Sequence, residues 1–408
     1  MELKRIVLLL SASSLIFAQS VATETLELEN LLKEGLANNP QRKALYEDIN
    51  AAETRISQAS ALPDPVLSVN ILNLPISNLG FDQEPMTGKQ VVFKQGIPFP
   101  GKLRLKAQIT EVGVSLSKDQ YAEATNALIR GISNTYYDLL FIDAAISTID
   151  KNQQLLREFL KVAEQKYAVG KGLQQDVLKA QVELSLMTER IINLRQKREK
   201  LEAALNFLLN RPAEQEVGAL TQPLFTARSL SYKELKDLAL DNRPLLKLWG
   251  NRLAQNERRI DLARKNLLPD FAVTAAYTQR SILQNGQGGA DFLTTGISLN
   301  LPIYARSKQK QQVNEQRIIR RSLEERRESV QKTVERDIDN ALTEMNKTAK
   351  LVELYRSGIV PQAGQSLESS LTGYQTDKVE FLTLISSQMT LLNLELEYGR
   401  LISTYHKN

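Results

Sequence analysis

Hydrophobic positions between residues 101 and 210 recur at the spacing of a coiled coil. From Gly101 to Ala168 the chain has no proline and few glycines, so no residue there ends a helix. A helix of that length measures on the order of 100 Å. Its apolar positions are Leu105, Ile109, Val112, Leu116, Ala124, Leu128, Ile132, Leu139, Ile142, Ile146, Ile149, Leu156, Leu160, Ala163 and Tyr167. The steps between these positions are almost all threes, fours or their sums, which predicts one arm of a helical hairpin.

The stretch after a glycine-containing turn has the same pattern and supplies the second arm. The turn is Ala168-Val169-Gly170-Lys171-Gly172, and Asn210-Arg211-Pro212 ends the arm that follows. The apolar positions of this arm are Leu173, Val177, Ala180, Leu184, Met187, Ile191, Leu194, Leu201, Leu205 and Leu208. A long antiparallel helical hairpin over residues 101–210 is therefore predicted.

Strand patterns precede this hairpin. A helix is expected from Thr25 to Ala61, with a break or kink at Pro40, and Leu62-Pro63-Asp64-Pro65 then forces extended chain. Residues 66–74 alternate apolar and polar side chains, and residues 89–97 form a second candidate strand after a polar loop.

The whole plan then repeats about 205 residues later. Leu62-Pro63-Asp64 recurs as Leu268-Pro269-Asp270, and Ile97-Pro98 recurs as Leu301-Pro302. The second copy has candidate strands over residues 271–280 and 293–301, and a long helical hairpin over residues 306–405 in which Pro361 is expected to cause a bend. We therefore predict a first repeat over residues 23–210, an inter-repeat segment over 211–231 and a second repeat over 232–408.

The first residues have the pattern of an export signal. Lys4-Arg5 precede an apolar run from Ile6 to Phe17, and Ser20-Val21-Ala22 offers small residues for cleavage. Residues 1–22 are predicted to be a signal peptide, so the mature chain is expected outside the cytoplasm.

Composition excludes several functional classes. The 408 residues contain no cysteine, which excludes disulfides and thiol catalysis, and no apolar run is long enough for a transmembrane helix. The net charge of +5 is spread over alternating basic and acidic residues, which is typical of solvated helix faces and does not indicate nucleic acid as a partner. No catalytic motif, metal-ligand spacing or cofactor-binding loop is present in the sequence, and the lone His406 is interpreted as a solvated tail residue. We expect a protein that is not an enzyme and has no cofactor.

The strand patterns suggest a membrane. Each candidate strand has about 9 to 11 residues and one apolar face, as transmembrane β-strands do. Four strands do not close a barrel, and open sheet edges are not viable in lipid, so other chains must complete the sheet. Three copies would form a twelve-stranded barrel, which the long helices would extend as an α-barrel. The alternative from the residues alone is an exported coiled-coil scaffold with incidental β-hairpins.

On these features the mature chain resembles the TolC family of outer-membrane efflux proteins over essentially its whole length. The duplication, the strand pairs within helical runs and the tip segments, residues 167–170 and 374–377, carry the resemblance. Leu62-Pro63-Asp64-Pro65 and Pro98-Phe99-Pro100-Gly101-Lys102 are similar to the heavy-metal branch, of the CusC and CzcC type. The resemblance implies a mainly α fold with a membrane β-barrel, assembled as a homotrimeric channel-tunnel in the outer membrane of a Gram-negative bacterium, with its helices in the periplasm. It also implies a periplasmic adaptor and an inner-membrane pump of the RND type as partners.

The hairpin turns are the candidate functional sites. Because they lie farthest along the helices from the strands, we expect them to meet the adaptor, through the residues Gly170, Lys171, Gly172, Thr376, Asp377 and Lys378. TolC relatives close the periplasmic entrance near the second turn, and the aligned positions here are the uncharged Thr383 and Ser386. The nearest carboxylates, Asp176 and Glu380, are the candidate charged gate residues, with helix N-terminal stabilisation as their alternative role.

The sequence does not identify the transported substrate. Heavy-metal cations and drugs both fit such a tunnel, because the pump would select the substrate. A type I protein-secretion conduit would share every one of these sequence features and is the alternative function.

Overall fold

The structure is a computed structural model that describes residues 26–408. Most of these residues are helical. The predicted signal peptide, residues 1–22, lies outside the described residues. The helices are α1 (Leu28–Asn38), α2 (Pro40–Ser60), α3 (Lys102–Ala168), α4 (Gln174–Leu209), α5 (Tyr232–Asn242), α6 (Pro244–Lys265), α7 (Gln309–Leu354), α8 (Val360–Gln375) and α9 (Phe381–Lys407). None of the helices within residues 26–408 combines the length and the apolar composition needed to cross a membrane.

The helix expected from Thr25 to Ala61 is two helices, α1 and α2. Asn39 separates them with an extended backbone, and its side chain accepts a hydrogen bond from the N–H of Arg42 at 3.1 Å. Pro40 has no N–H to donate and starts α2, where no partner is needed. Pro244 starts α6 in the same way after α5.

Pro361, the proline predicted to bend the second hairpin, follows a π-helical turn. The turn spans Tyr355–Ile359 and joins α7 to α8. Proline cannot donate the regular helical hydrogen bond, and its ring clashes with the carbonyl four residues earlier, so a widened turn accommodates it.

Four strands within residues 26–408 form one antiparallel sheet in the order β1-β2-β3-β4. They are β1 (Val66–Leu72), β2 (Gly88–Ile97), β3 (Asp270–Gln279) and β4 (Phe292–Asn300), which differ from the predicted strands by one or two residues at their ends. β1 ends early because Asn73 has a left-handed backbone, with φ of 49°. Asn73 also donates to the carbonyl of Met86 and accepts from the hydroxyl of Thr87, which closes the loop before β2.

The two faces of this sheet differ in polarity. Val273 lies opposite Ile297, and Val69 lies opposite Val91, all on one largely apolar face. On the other face, Asn70 donates to Gln90, which donates to Thr278, so a polar ladder crosses three strands. The alternation is that of a sheet with one face in an apolar environment.

The chain divides into two compact units that do not coincide with the predicted repeats. The helical unit comprises residues 26–37, Ile129–Ala227 and Thr348–Lys407, and the sheet unit comprises Asn38–Leu128, Arg228–Lys347 and Asn408. Each unit thus takes segments from both halves of the chain.

The core of the helical unit lies between the first hairpin and helices α8 and α9. It includes positions that the seam predicted, and it adds Phe159, which the pattern omitted. Its buried residues are Ile149, Leu156, Phe159, Ala163, Ala180, Met187, Ile191, Leu367, Tyr374, Phe381, Leu384, Ile385 and Leu392. The fully buried Gln388 donates from its amide nitrogen to the carbonyl of Asn152 at 2.9 Å, whereas its Oε1 has no hydrogen-bond partner in this core.

Two sequence interpretations are wrong in this unit. Tyr167, assigned to the buried seam, is about half exposed because it occupies the last turn of α3. His406 is not a solvated tail residue, since its ring stacks on Tyr137 with centroids 5.0 Å apart and meets the Tyr405 ring edge-on.

Candidate functional site: the paired hairpin tips

The candidate site is formed by two turns of the helical unit, here called the paired tips. The first tip, residues 169–173, joins α3 to α4, and the second tip, residues 376–380, joins α8 to α9. In each tip an N–H reaches back to a carbonyl five residues earlier at 2.8 Å, from Lys171 to Lys166 and from Lys378 to Gly373. A left-handed residue precedes each donor, Gly170 with φ of 73° and Asp377 with φ of 57°. Both α3 and α8 therefore end in a Schellman-type motif.

Each tip has a glycine where the chain closes on itself, but at opposite ends of the motif. A Cβ built on Gly172 would lie 3.0 Å from the Cβ of Lys166, and a Cβ built on Gly373 would lie 2.6 Å from Cγ2 of Val379. The repeat offset of 207 residues maps Lys166 to Gly373 and Gly172 to Val379. In both tips these two equivalent positions lie so close together that one of them must be glycine. The first tip has its glycine at the later position, Gly172, and the second tip has its glycine at the earlier position, Gly373.

Lys166, in the last turn of α3, links this helix to the second tip. Its ammonium donates to the backbone carbonyl of Tyr374 and to the carboxylate of Asp377. It also lies over the Tyr374 ring, 4.3 Å from the centroid. The side chain of Lys166 is only 15% exposed, so this cation is largely removed from water and its three contacts hold α3 against the second tip.

A groove of about 700 Å³ lies between the tips, and six of the ten predicted site residues line it. These six are Lys171, Gly172, Asp176, Asp377, Lys378 and Glu380. Gly170 and Thr376 lie in the turns without lining the groove, and Thr383 and Ser386 are exposed on α9. The structure therefore places the acidic gate candidates in the groove, while the two uncharged positions lie outside its lining.

Three side chains of the site have shifted pKa values. Burial raises the pKa of Asp176, and the negative charge of Glu380 raises it further. Burial, together with the charges of Asp176 and Asp377, raises the pKa of Tyr374 to about 12. The hydrogen bond and the charge of Lys166 lower the pKa of Asp377. The pKa values of Asp176 and Asp377 are thus shifted in opposite directions, because burial dominates at Asp176 and Lys166 dominates at Asp377.

The position of Asp176 also suits helix stabilisation. It lies in the first turn of α4, whose N-cap residue, Leu173, provides no side-chain hydrogen bond. An acid there interacts favourably with the N-terminal end of the helix dipole. Glu380 directly precedes α9 and has a similar relation to that helix.

The groove has the chemistry of a binding surface. Three lysines and three carboxylates line it. Across residues 26–408 no group of three or more His, Asp or Glu side chains is arranged to hold a metal ion. The contacts of Lys166 and the burial of Tyr374 were not foreseen from the sequence. The sequence signal that could have indicated these contacts is the position of Lys166 in the last turn of α3, since cations there interact with carbonyls at helix ends.

Comparison with known proteins identifies the family. The family described as "Outer membrane efflux protein" matches residues 31–211 and 235–398. The chain is 21% identical over 398 residues to the cobalt-zinc-cadmium resistance protein CzcC of Cupriavidus metallidurans, covering 94% of this chain and 88% of that protein. The fold is shared with VceC of Vibrio cholerae, with a TM-score of 0.77 at 16% identity over 93% of each chain. It is also shared with a membrane protein from Pseudomonas aeruginosa, with a TM-score of 0.79 at 16% identity over 93% of this chain and 91% of that one.

These matches confirm the resemblance inferred from the duplicated motifs. The two matched stretches together span most of the described residues and include both hairpin tips. The protein belongs to the outer membrane efflux protein family.

Proposed function

We propose that this chain is one subunit of a homotrimeric channel-tunnel, which passes substrates from an inner-membrane pump and a periplasmic adaptor across the outer membrane. The observation that carries the proposal is the four-stranded sheet, which has one largely apolar face and two open edges, β1 and β4. Open edges in lipid need partner strands, and three copies supply twelve strands for a closed barrel with a polar lumen. The chain itself performs no catalysis in this role.

The paired tips are the proposed docking site for the adaptor. The groove between them exposes lysines and carboxylates, and an apolar stripe on α4 runs away from it. Leu178, Val182 and Leu186 form this stripe at steps of four, and the first two are each 52% exposed. An apolar stripe flanked by charges fits the face of another helix, which here is a neighbouring subunit or a helical hairpin of the adaptor.

Asp176 and Glu380 are the proposed charged gate. In a threefold assembly each carboxylate recurs three times around the axis, so the two would form acidic rings that attract cations and repel one another. The raised pKa of Asp176 and its coupling to Glu380 support this role. Thr383 and Ser386 lie on α9 and would add exposed hydroxyl groups next to the acidic rings.

Heavy-metal cations are the proposed cargo. The support is the similarity to CzcC, whose name specifies resistance to cobalt, zinc and cadmium. The acidic groove residues are compatible with transient contact with cations, because carboxylates lower the local energy of a positive ion.

The test has two parts. Purified protein reconstituted in planar bilayers should form pores of uniform conductance, and a host that lacks its own tunnel protein should regain resistance to zinc, cobalt or cadmium when the chain is expressed with its pump and adaptor. Absence of pores would contradict the channel, whereas pores with resistance only to drugs, or with export of a protein, would contradict the cargo alone.

A further inference from the structure

We infer that neighbouring subunits join through β4 of one chain and β1 of the next in one defined register, with Arg306 paired to the partner subunit's Asp64. This inference rests on the proposed trimer, but it specifies which residues meet. It follows from the way the two halves of the chain already join within one subunit.

The two strand pairs within the chain have the same register. A shift of 206 residues maps Pro63 onto Pro269, and a shift of 204 residues maps Pro98 onto Pro302. With these two shifts, the observed pair Val66 and Lys94 of β1 and β2 becomes Ala272 and Ser298, which is the pair observed between β3 and β4. The β1-β2 and β3-β4 hairpins are therefore equivalent residue by residue.

The central junction shows how one hairpin joins the next. β2 pairs with β3, and Phe93 lies opposite Ala275 while Phe271 lies opposite Ile97. Because β4 is the equivalent of β2, and β1 the equivalent of β3, the same junction recurs where β4 meets the partner's β1. The shifts place Ile297 opposite Val69 and Leu299 opposite Leu67 across this seam.

The exposed side chains fit that seam. Val69 and Ile297 are 75% and 76% exposed in the single chain, and every residue of β4 is exposed. In the inferred register both lie on the apolar face that also carries Val273 and Val91. The pleat therefore continues across the seam without inverting the polar and apolar faces.

An ion pair lies at the end of the central junction, where β2 ends and β3 begins. The equivalent two residues at the seam are not paired within the described chain. Lys102, which is almost fully buried, donates to the carboxylate of Asp270 at 2.8 Å and to the carbonyl of Leu268 at 3.1 Å. The shifts map Asp270 to Asp64 and Lys102 to Arg306. Both are exposed, and in the described chain neither side chain has an ion-pair partner.

Arg306 approaches from a different local structure than Lys102 does. Lys102 starts α3 directly after Gly101, whose φ is 90°, whereas Ala305 replaces that glycine and the chain turns through residues 302–308 before α7. An arginine is longer than a lysine and has a forked donor group, so it reaches a carboxylate from this turn. The exposed Lys308 lies two residues after Arg306 in the same turn and serves as the control.

Cysteine cross-linking tests the register, and the absence of native cysteine leaves no competing thiol. Val69→Cys with Ile297→Cys should give covalent trimers on oxidation, while Leu67→Cys with Ile297→Cys, displaced by two residues or about 7 Å, should not. Phe93→Cys with Ala275→Cys is the matched pair within one chain and calibrates the yield. If the protein is a trimer by mass but cross-links in the displaced pair, or in neither pair, the register is overturned and the proposed trimer stands. If the protein is a monomer, the register and the proposed trimer are both overturned.

Charge exchange tests the ion pair. Asp64→Arg and Arg306→Asp should each lower the temperature at which detergent-extracted trimers dissociate, and the double exchange should restore it. Asp64→Arg with Lys308→Asp has the same net charge and should not restore it. Equal recovery in the two double variants, or no loss in either single variant, would overturn the pairing of Asp64 with Arg306.

Discussion

At the scale of single residues, Lys166 connects α3 to the second tip, although it is not one of the predicted site residues. Its ammonium binds the carbonyl of Tyr374 and the carboxylate of Asp377 and lies over an aromatic ring, all while largely removed from water. Removing such a group leaves its partners without their cation, so the loss is greater than at an exposed lysine.

Replacing Lys166 should loosen the second tip. In Lys166→Met, we expect the pKa of Asp377 to rise toward its ordinary value and cleavage by a glutamyl endopeptidase at Glu380 to accelerate several-fold, because α3 no longer holds this turn. Lys171→Met removes an exposed lysine of the same groove and should change the cleavage rate little. Equal cleavage rates in wild type and both variants would show that Lys166 does not restrain the tip.

The pH response of the pore should depend on Asp176. A pKa raised in the folded state means that the protonated form is favoured by folding, so its stabilising contribution is present below the unfolded pKa and is lost as pH rises through the folded value. The proposed acidic ring therefore loses charge at a higher pH than an ordinary aspartate would, and cation preference should fall as the solution is acidified.

Single-channel recording checks this response. Asp176→Asn should lower cation preference at neutral pH and reduce its acid dependence, and Glu380→Gln should shift the remaining dependence toward lower pH by removing a neighbouring negative charge. Unchanged conductance and selectivity in both variants would leave these acids only the stabilisation of helix N-termini.

Gly172 and Gly373 relieve the same close approach from opposite positions in the two tips. Gly373→Ala should destabilise the second tip by about 1–3 kcal/mol, since its Cβ would overlap Val379. Adding Val379→Gly should recover most of this loss, because it reproduces the arrangement of the first tip. Gly364→Ala in α8 meets no atom within 4 Å and serves as the control, which should be neutral or stabilising. Hydrogen exchange at the tips measures the effect, and failure of the second substitution to recover protection would refute the steric explanation.

At the scale of elements, the sheet assigns each strand residue to one of two faces. Val69, Val273 and Ile297 share the apolar face, whereas Ser68, Thr274 and Ser298 share the opposite one. In the proposed barrel the first set faces lipid and the second faces the lumen.

Arginine substitutions should distinguish these faces. Arginine at Val69, Val273 or Ile297 should impair membrane insertion by about 2–4 kcal/mol near the bilayer midplane, while arginine at Ser68, Thr274 or Ser298 should be tolerated. The amount of folded protein recovered from outer membranes is the measurement. Equal recovery for both sets would refute the assignment of the lipid face.

At the scale of the whole molecule, the four-stranded sheet is complete only in an assembly. Both edge strands are open within the described residues, and the apolar face is exposed along the whole of β4. Membrane lipid cannot satisfy the backbone groups of an open edge.

The assembled protein should therefore be a trimer. Detergent-extracted protein should have a protein mass near three times 45.9 kDa less three signal peptides, measured by light scattering or native mass spectrometry. A stable monomer with full strand content would contradict the channel-tunnel. The cysteine-free chain makes any covalent trimer after cysteine substitution attributable to the introduced pair.

The sequence by itself determined the helices, the strands and the family of this protein. Periodicity identified α3 and α4 because nothing between Gly101 and Ala168 interrupts a helix, and the repeated prolines located the strand boundaries to within two residues. Period and proline chemistry are local properties, so they can be read without knowledge of distant contacts.

The tertiary structure decided which distant residues meet. Lys166 and Tyr374 are 208 positions apart, Lys102 and Asp270 are 168 apart, and His406 is packed on Tyr137 instead of exposed at the terminus. The division into a helical unit and a sheet unit also crosses the two repeats. Such pairings depend on how complete elements pack against one another, because burial and charge are set by neighbours in space, which a local sequence pattern does not specify.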